Sequence, residues 1–428
     1  MDTIVINGGK QLIGKVRISG AKNAAVAILP AALASTEKVC LNNLPDINDI
    51  RTLVAILEDL GIGIRRRGRH ALELNPAKLR SYAPSYDLVK KMRASYYFMG
   101  SLLARCGRAE VPVPGGCDLG PRPIDQHLKG FAALGVEIEQ EHGLIKLFAK
   151  KMRGAHIYLD VVSVGATINL MIAAVTAEGR TVLENAAKEP EIVDVANFLN
   201  AMGASIRGAG TDVIRIDGVS RLGRVEHAII PDRIEAGTFM LAAAATGGEV
   251  VVDEVIPKHL EAVSAKLREM GVTVDAQPER ITVCREDKLL PSDLKTFPYP
   301  GFPTDLQPLA VALLTAAEGV SIVTENVFDG RFRHVDELKR MGAQIKVEGR
   351  TAVVEGGTPL SAAPVTATDL RAGAALVVAG LMARGETILS DAEHIYRGYE
   401  QFEEKLRGLG ASIRRTRGRG SVLSRKTI

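Results

Sequence analysis

Six times along the chain a short amphipathic segment ends in Leu-Gly or Met-Gly and gives way to a stretch of alternating apolar and polar residues. The closing glycines are Gly61, Gly135, Gly203, Gly271, Gly342 and Gly410, spaced 74, 68, 68, 71 and 68 residues apart. Helical periodicity that stops at glycine and turns into period-two alternation predicts a helix, a left-handed cap and a strand. A second marker keeps the same interval. Alanine-rich segments break at glycine or a polar turn and run into β-branched residues: Ala173–Gly179 into Thr181-Val182-Leu183, Ala242–Gly248 into Val250-Val251-Val252, Leu313–Gly319 into Ser321-Ile322-Val323. Leu102–Gly107, Leu381–Gly385 and, more weakly, Ala31–Thr36 complete the set. Each unit reads strand, helix, strand, helix, then one or two strands. Its first helix is apolar on nearly every side and is expected to be buried.

Units of about 70 residues are longer than solenoid repeats and shorter than ordinary stable domains, so they are expected to share cores, with helices inward and sheets outward or the reverse. A chain of 428 residues exceeds one ordinary core. Dividing the repeats evenly puts a boundary near Leu222–Ala228. The expected domains are residues 22–229, and residues 1–21 together with 230–428. Thr3–Asn7 is expected to close the second domain by pairing with its last strands, so that the chain crosses between domains twice.

Composition adds exclusions. Hydrophobic residues are 46% and charged residues 24%, with net charge +4, which suits a soluble globular protein and is too mild to argue for nucleic acid. Aromatics are 4% and Trp is absent, so stacking platforms for single strands are not expected. The run Arg65-Arg66-Arg67 with Arg69, and the tail Arg414, Arg415, Arg417 and Arg419, read as solvated strand ends and a frayed terminus. The longest apolar runs, such as Ala374–Ala383, fall short of the ~20 residues of a membrane span. No secretory leader pattern is visible, and four cysteines without CxxC spacing suit a reducing compartment. A soluble cytoplasmic enzyme, monomeric or weakly self-associating, is expected.

The stretch Pro114-Gly115-Gly116-Cys117-Asp118-Leu119-Gly120-Pro121-Arg122-Pro123 suits neither helix nor strand and reads as a loop, with Arg122 favouring the Cys117 thiolate. Cys40, Cys106 and Cys284 read instead as small buried hydrophobes. Lys22 stands at a helix entrance in Ser19–Ala24, as Arg93 does before a helix running to Arg105, and both are candidates for meeting an anion. The second half supplies Asp305 at a helix start, where an N-cap role is also expected. It also supplies the arginines of Asn326–His334, the pair Asp369 and Arg371, and Arg397. Cations at corresponding helix entrances suit a cleft between two similar domains that receives a ligand with several negative charges.

These residues carry a resemblance. Pro114-Gly115-Gly116-Cys117 with Gly120-Pro121-Arg122-Pro123, Ser19–Asn23, Ser163-Val164-Gly165-Ala166-Thr167, Glu184–Glu191 and Ala367–Arg371 together resemble the UDP-N-acetylglucosamine enolpyruvyl transferases, over all but the last dozen residues. The resemblance implies a two-domain inside-out α/β barrel of six βαβαββ repeats, three per domain. It also implies transfer of enolpyruvyl from phosphoenolpyruvate to the 3-hydroxyl of UDP-N-acetylglucosamine, the first committed step of peptidoglycan synthesis, by addition and elimination through a tetrahedral phospho-ketal with neither metal nor organic cofactor. Cys117 would be the general acid, able to form a covalent adduct, and Asp305 the base with Asp369 beside it. Lys22, Arg122 and Arg397 would clamp phosphate, while Arg331 and Arg371 meet the remaining charge. Asn23 and Arg93 would line the substrate site. Arg122, Pro123, Ile124, Asp125, Gln126, Ser163, Val164 and Val327 would contact the nucleotide sugar. Val161 departs from the pattern, since some members carry Lys there. The related 5-enolpyruvylshikimate-3-phosphate synthases, which lack such a cysteine loop, and an inactive paralogue are the alternatives.

Overall fold

The computed structural model describes residues 2–113 and 124–417. Its chain falls into two compact units. The first is Ser19–Asp232 with Pro298–Pro300; the second holds the residues up to Ile18, Arg233–Phe297 and those from Gly301 onward. The stretch Pro298–Pro300 adds a short excursion to the two expected crossings, and there the Tyr299 N–H donates to Glu189 Oε1 at 3.3 Å.

Each unit is built on three apolar helices. In the first unit these are Lys22–Ala31 (α1), Tyr97–Cys106 (α2) and Val164–Ala174 (α3). In the second they are Arg233–Thr246 (α4), Gln307–Leu314 (α5) and Leu370–Met382 (α6). All six are mostly buried, as their all-round apolar sequences require. Helix α2 packs on both α1 and α3, while α4, α5 and α6 pack on one another, so each unit has its own helical core. Among the described residues the strands form five four-stranded sheets and one three-stranded sheet, which gives each repeat its own sheet. This is the mixed α/β architecture of an inside-out barrel built from βαβαββ repeats.

The six repeat glycines, Gly61, Gly135, Gly203, Gly271, Gly342 and Gly410, all have φ between 82° and 102°. They end the second helix of each repeat in the left-handed conformation that residues with a Cβ adopt only at a cost, which is why the repeat is so legible in sequence. Gly100 serves a different need. A Cβ there would lie 2.3 Å from the Asn169 carbonyl oxygen of α3, so α2 and α3 approach backbone to backbone. Gly100→Ala is expected to lower stability by roughly 1–3 kcal/mol through forced separation of these helices, read as a lower urea midpoint.

Two first strands are exchanged between the first and fourth repeats, each lying in the same unit as its partner strand. Ile13–Arg17, which leads into α1, pairs in parallel with Glu249–Asp253 of the fourth repeat. Val225–Ala228, which leads into α4, pairs in parallel with Val39–Asn42 of the first. Asp2–Asn7 lies between Glu386–Ser390 and Ser412–Arg417, antiparallel to both, which is the pairing expected of Thr3–Asn7. The frayed terminus expected around Arg414 and Arg415 is therefore corrected: both lie in this last strand, Arg414 facing Glu386 and Arg415 pairing with Asp2 while stacking 4.0 Å from the Tyr396 ring centre. Arg67 and Arg69 are likewise paired, with Glu73 and Asp46. Arg419 lies outside the described residues. No described helix is long and apolar enough to cross a membrane.

Candidate active site

In the first unit Lys22 opens α1, with its main-chain N–H on Asp232 Oδ2 at 3.0 Å and its ammonium on Asp49 Oδ2 at 2.8 Å. Asp49 is buried, so this pair fixes the lysine rather than leaving it to solvent. Asn23, next along the helix, donates to Glu191 Oε1 at 3.4 Å. The lysine expected at a helix entrance is thus held in place by acids from two other segments.

A second group gathers at the start of α3. Ser163 caps it, its hydroxyl accepting the Ala166 N–H at 3.2 Å, and Val164 is its first residue. A Cβ on Gly165 would lie 2.8 Å from the Tyr96 hydroxyl and 3.2 Å from His127 Cε1, so only glycine leaves these rings in place. Asn169, one turn further, accepts the Gly100 N–H and donates to both the Tyr96 carbonyl (2.9 Å) and His127 Nδ1 (3.0 Å). With Asn169 oriented by Gly100, His127 accepts at Nδ1 and carries its proton on Nε2. Burial, helped by the Arg93 charge and opposed by Asp125, holds this imidazole down to about 4. Arg93 opens a short 3-10 turn, half-buried, within electrostatic reach of His127. Structure thus gathers Arg93, Ser163 and Val164 around three residues that sequence reading passed over: Tyr96, His127 and Asn169. A lone histidine inside a helical pattern gives no periodic sign of its role.

Ile124 and Asp125 begin the helix Asp125–Ala133. Gln126 is buried, and its amide is spent on the chain: Nε2 donates to Asp125 and Asp160, and Oε1 accepts the Asp160 N–H at 2.9 Å. That anchors the segment holding Val161, which is well exposed. Cys117, Arg122 and Pro123 lie outside the described residues. Of the other thiols, Cys40 is buried as expected. Cys106 and Cys284 correct the expectation, being exposed and half-exposed because each ends its helix or strand at the solvent.

In the second unit the expected N-cap role of Asp305 is corrected. It lies inside the 3-10 turn Thr304–Leu306, and its carboxylate is divided between two guanidinium groups. Arg331 reaches Oδ1 at 3.0 Å, and Arg371 reaches Oδ2 through two nitrogens at 3.0 and 3.2 Å. Both arginine side chains are almost wholly buried. Two cations at this range keep a carboxylate ionised. Asp369 is the cap that Asp305 is not: its Oδ1 accepts the N–H groups of Arg371 and Ala372, which positions Arg371 at the start of α6. The Arg371 guanidinium also lies 5.2 Å from the ring centre of Tyr399, whose hydroxyl meets Thr238 at 2.8 Å. Arg397 ends the 3-10 turn Ala392–Arg397, two residues before that ring. Val327 donates its N–H to Glu325 at 2.8 Å, and Arg331 follows on the same connection. His334 is buried, and burial holds it down to about 4; the Arg331 charge adds to that shift, while Asp369 and the Arg331 main chain oppose it.

An ionised carboxylate locked between buried cations in one unit, and a lysine, an arginine and a capped helix start in the other, can bind polyanions and take up a proton. Comparisons with known proteins sharpen this. The pattern of the EPSP synthase (3-phosphoshikimate 1-carboxyvinyltransferase) family fits residues 6–406. The chain is 58% identical to UDP-N-acetylglucosamine 1-carboxyvinyltransferase 3 of Caldanaerobacter subterraneus subsp. tengcongensis, over 97% of this chain and 100% of that one. It is 57% identical to UDP-N-acetylglucosamine 1-carboxyvinyltransferase 2 of Geobacillus kaustophilus, over 96% of each. Among solved structures, the enolpyruvyl transferase NikO from Streptomyces tendae superposes with a TM-score of 0.88 at 27% identity, over 97% of this chain and 99% of that one. EPSP synthase from Acinetobacter baumannii has the same fold, with a TM-score of 0.75 at 19% identity, over 97% of this chain and 100% of that one. The repeats and the full-length identity converge: the chain belongs to the UDP-N-acetylglucosamine 1-carboxyvinyltransferases, within the wider enolpyruvyl transferase family.

Proposed function

We propose that this protein transfers the enolpyruvyl group of phosphoenolpyruvate to the 3-hydroxyl of UDP-N-acetylglucosamine and releases inorganic phosphate. Full-length identity of 55–58% to relatives named for that transfer carries the reading. The sugar hydroxyl oxygen bonds to C2 of phosphoenolpyruvate while Asp305 takes the hydroxyl proton, and Cys117 gives a proton to the methylene carbon C3. The resulting tetrahedral phospho-ketal then loses a C3 proton and its C2–O bond to phosphate, which restores the double bond. Lys22, Arg122 and Arg397 hold the phosphate and carboxylate, and Arg331 and Arg371 stabilise charge as it moves. Asp369 keeps Arg371 in place and acts beside Asp305. Asn23, Arg93, Pro123, Ile124, Asp125, Gln126, Ser163, Val164 and Val327 hold the nucleotide sugar. The work belongs to the cytoplasm, where both substrates are made, and supplies peptidoglycan synthesis. Residues 22–229 form one domain of the enzyme, and 1–21 with 230–428 the other.

Phosphate release separates this reading from its neighbours. It is expected with phosphoenolpyruvate plus UDP-N-acetylglucosamine, and not with shikimate 3-phosphate; release with shikimate 3-phosphate alone would overturn the assignment. Cys117→Ala is expected to lower kcat about 100-fold or more, as for loss of a general acid, with the thermal midpoint moved by no more than a few degrees. Fosfomycin-type epoxides are expected to add their mass to the unaltered protein and not to Cys117→Ala; an unchanged intact mass would deny a reactive thiol.

A further inference from the structure

Glu325 follows the strand Val320–Thr324, and its side chain is 1% exposed. The groups that hold its carboxylate are neutral. Oε1 accepts the Thr296 hydroxyl at 2.9 Å, the Val327 N–H at 2.8 Å and the Phe328 N–H at 3.0 Å. Oε2 accepts the Thr304 hydroxyl at 3.0 Å. Thr296 is itself fixed: its N–H donates to the Thr324 carbonyl at 3.0 Å, and its hydroxyl oxygen accepts the Asn326 N–H at 2.9 Å. One buried side chain therefore joins two loops that strand pairing leaves independent. One is the connection that carries Val327 and Arg331; the other is the 3-10 turn that carries Asp305.

We propose that Glu325 is a positioning residue for the transfer reaction, setting Asp305 against the loop of Val327 and Arg331 through its bond to Thr304. The inference rests on the reading of Asp305 as base. The Asp305–Arg331 contact alone cannot do this, because a long arginine follows its partner when either loop shifts. The Glu325 bonds instead fix the Val327 and Phe328 N–H groups on one loop and, on the other, the short β-branched side chain of Thr304 next to Asp305. Displacement of a reacting group by about 1 Å costs on the order of 100-fold in rate, so a loosened Thr304 tie is expected to appear in kcat first. A carboxylate also suits the place, because its two oxygens accept all four donors, whereas an amide would turn an N–H donor towards one of them.

Thr304→Val tests this, since it deletes the Oε2 donor and leaves the three bonds to Oε1 intact. It is expected to lower kcat about 30-fold or more, with KM for phosphoenolpyruvate within about threefold and the thermal midpoint within a few degrees. Thr304→Ser, which restores the hydroxyl, is expected to return kcat to within about threefold of the unaltered protein. Full activity in Thr304→Val, or equal impairment of the Val and Ser variants, overturns the inference. Thr304→Ala removes the same donor without a new methyl group and is judged by the same outcomes if the Val variant does not fold. Failure of the unaltered protein to release phosphate sinks the functional reading and this inference with it, whereas wild-type kcat in Thr304→Val sinks this inference alone.

Discussion

Asp305→Asn is expected to lower kcat on the order of 1,000-fold while UDP-N-acetylglucosamine still binds, because the substitution removes the proposed proton acceptor and keeps the shape of its side chain. The same change has a second consequence that a simple base would lack. Arg331 and Arg371 are almost wholly buried and share this one carboxylate, with bonds of 3.0 Å on either side. Asparagine offers them one neutral oxygen. Removing one partner of a fully buried pair costs about 3–5 kcal/mol; Asp305, with 27% of its side chain exposed, calls for the lower end or less, roughly 2 kcal/mol. Asp305→Asn is therefore expected to be slow and also easier to melt. Asp305→Glu, which keeps the charge, is expected to recover stability better than rate. Near-normal turnover in Asp305→Asn would remove it as the base, and an unchanged thermal midpoint would show that solvent already screens the two arginines.

Mild acid is expected to destabilise the protein through two histidines that the chemistry does not titrate. Burial holds His127 and His334 down to about 4 from an ordinary 6.5. Above pH 6.5 both are neutral whether the chain is folded or not, and they contribute nothing to the pH dependence. As pH falls from 6.5 towards 4, the unfolded chain takes up protons that the folded one refuses, so stability falls. By pH 5 the expected loss is about 2 kcal/mol for each histidine. One lies in each unit, so both units should show it. Urea midpoints between pH 7.5 and 5 measure the loss, and His334→Leu should flatten the acid limb of the second unit only. A flat profile over that range would mean that these imidazoles can be protonated in place.

What the sequence made legible has a common cause. The six capping glycines and six apolar helices are local: each follows from its own ten residues, since the left-handed cap and all-round burial leave marks in composition. The pairing of Thr3–Asn7 followed from a strand left over at the end of a count. The exchange of Ile13–Arg17 and Val225–Ala228 did not, because both strands look alike and only distant partners tell them apart. In the site, Lys22, Asp305 and Arg371 stood out by motif, yet the division of Asp305 between two arginines is a matter of side-chain reach. Glu325 gave no sign at all. Inside Thr324-Glu325-Asn326-Val327 it reads as one more surface acid, and its four donors come from three separate stretches of chain. Cys106 failed in the opposite direction, because a helix end turned it outward.

The placement of Asp2–Asn7 between the strands Glu386–Ser390 and Ser412–Arg417 sets an order of events during synthesis. Asp2–Asn7 is made long before either of its neighbours and must wait, unpaired, through the translation that separates it from Glu386–Ser390 and Ser412–Arg417. The unit of Ser19–Asp232 meets no such delay, since every strand of its sheets has emerged once Ala228 is made. Growing chains should therefore hold one finished globule and one open sheet for much of their synthesis, with an unpaired strand that a chaperone has reason to hold.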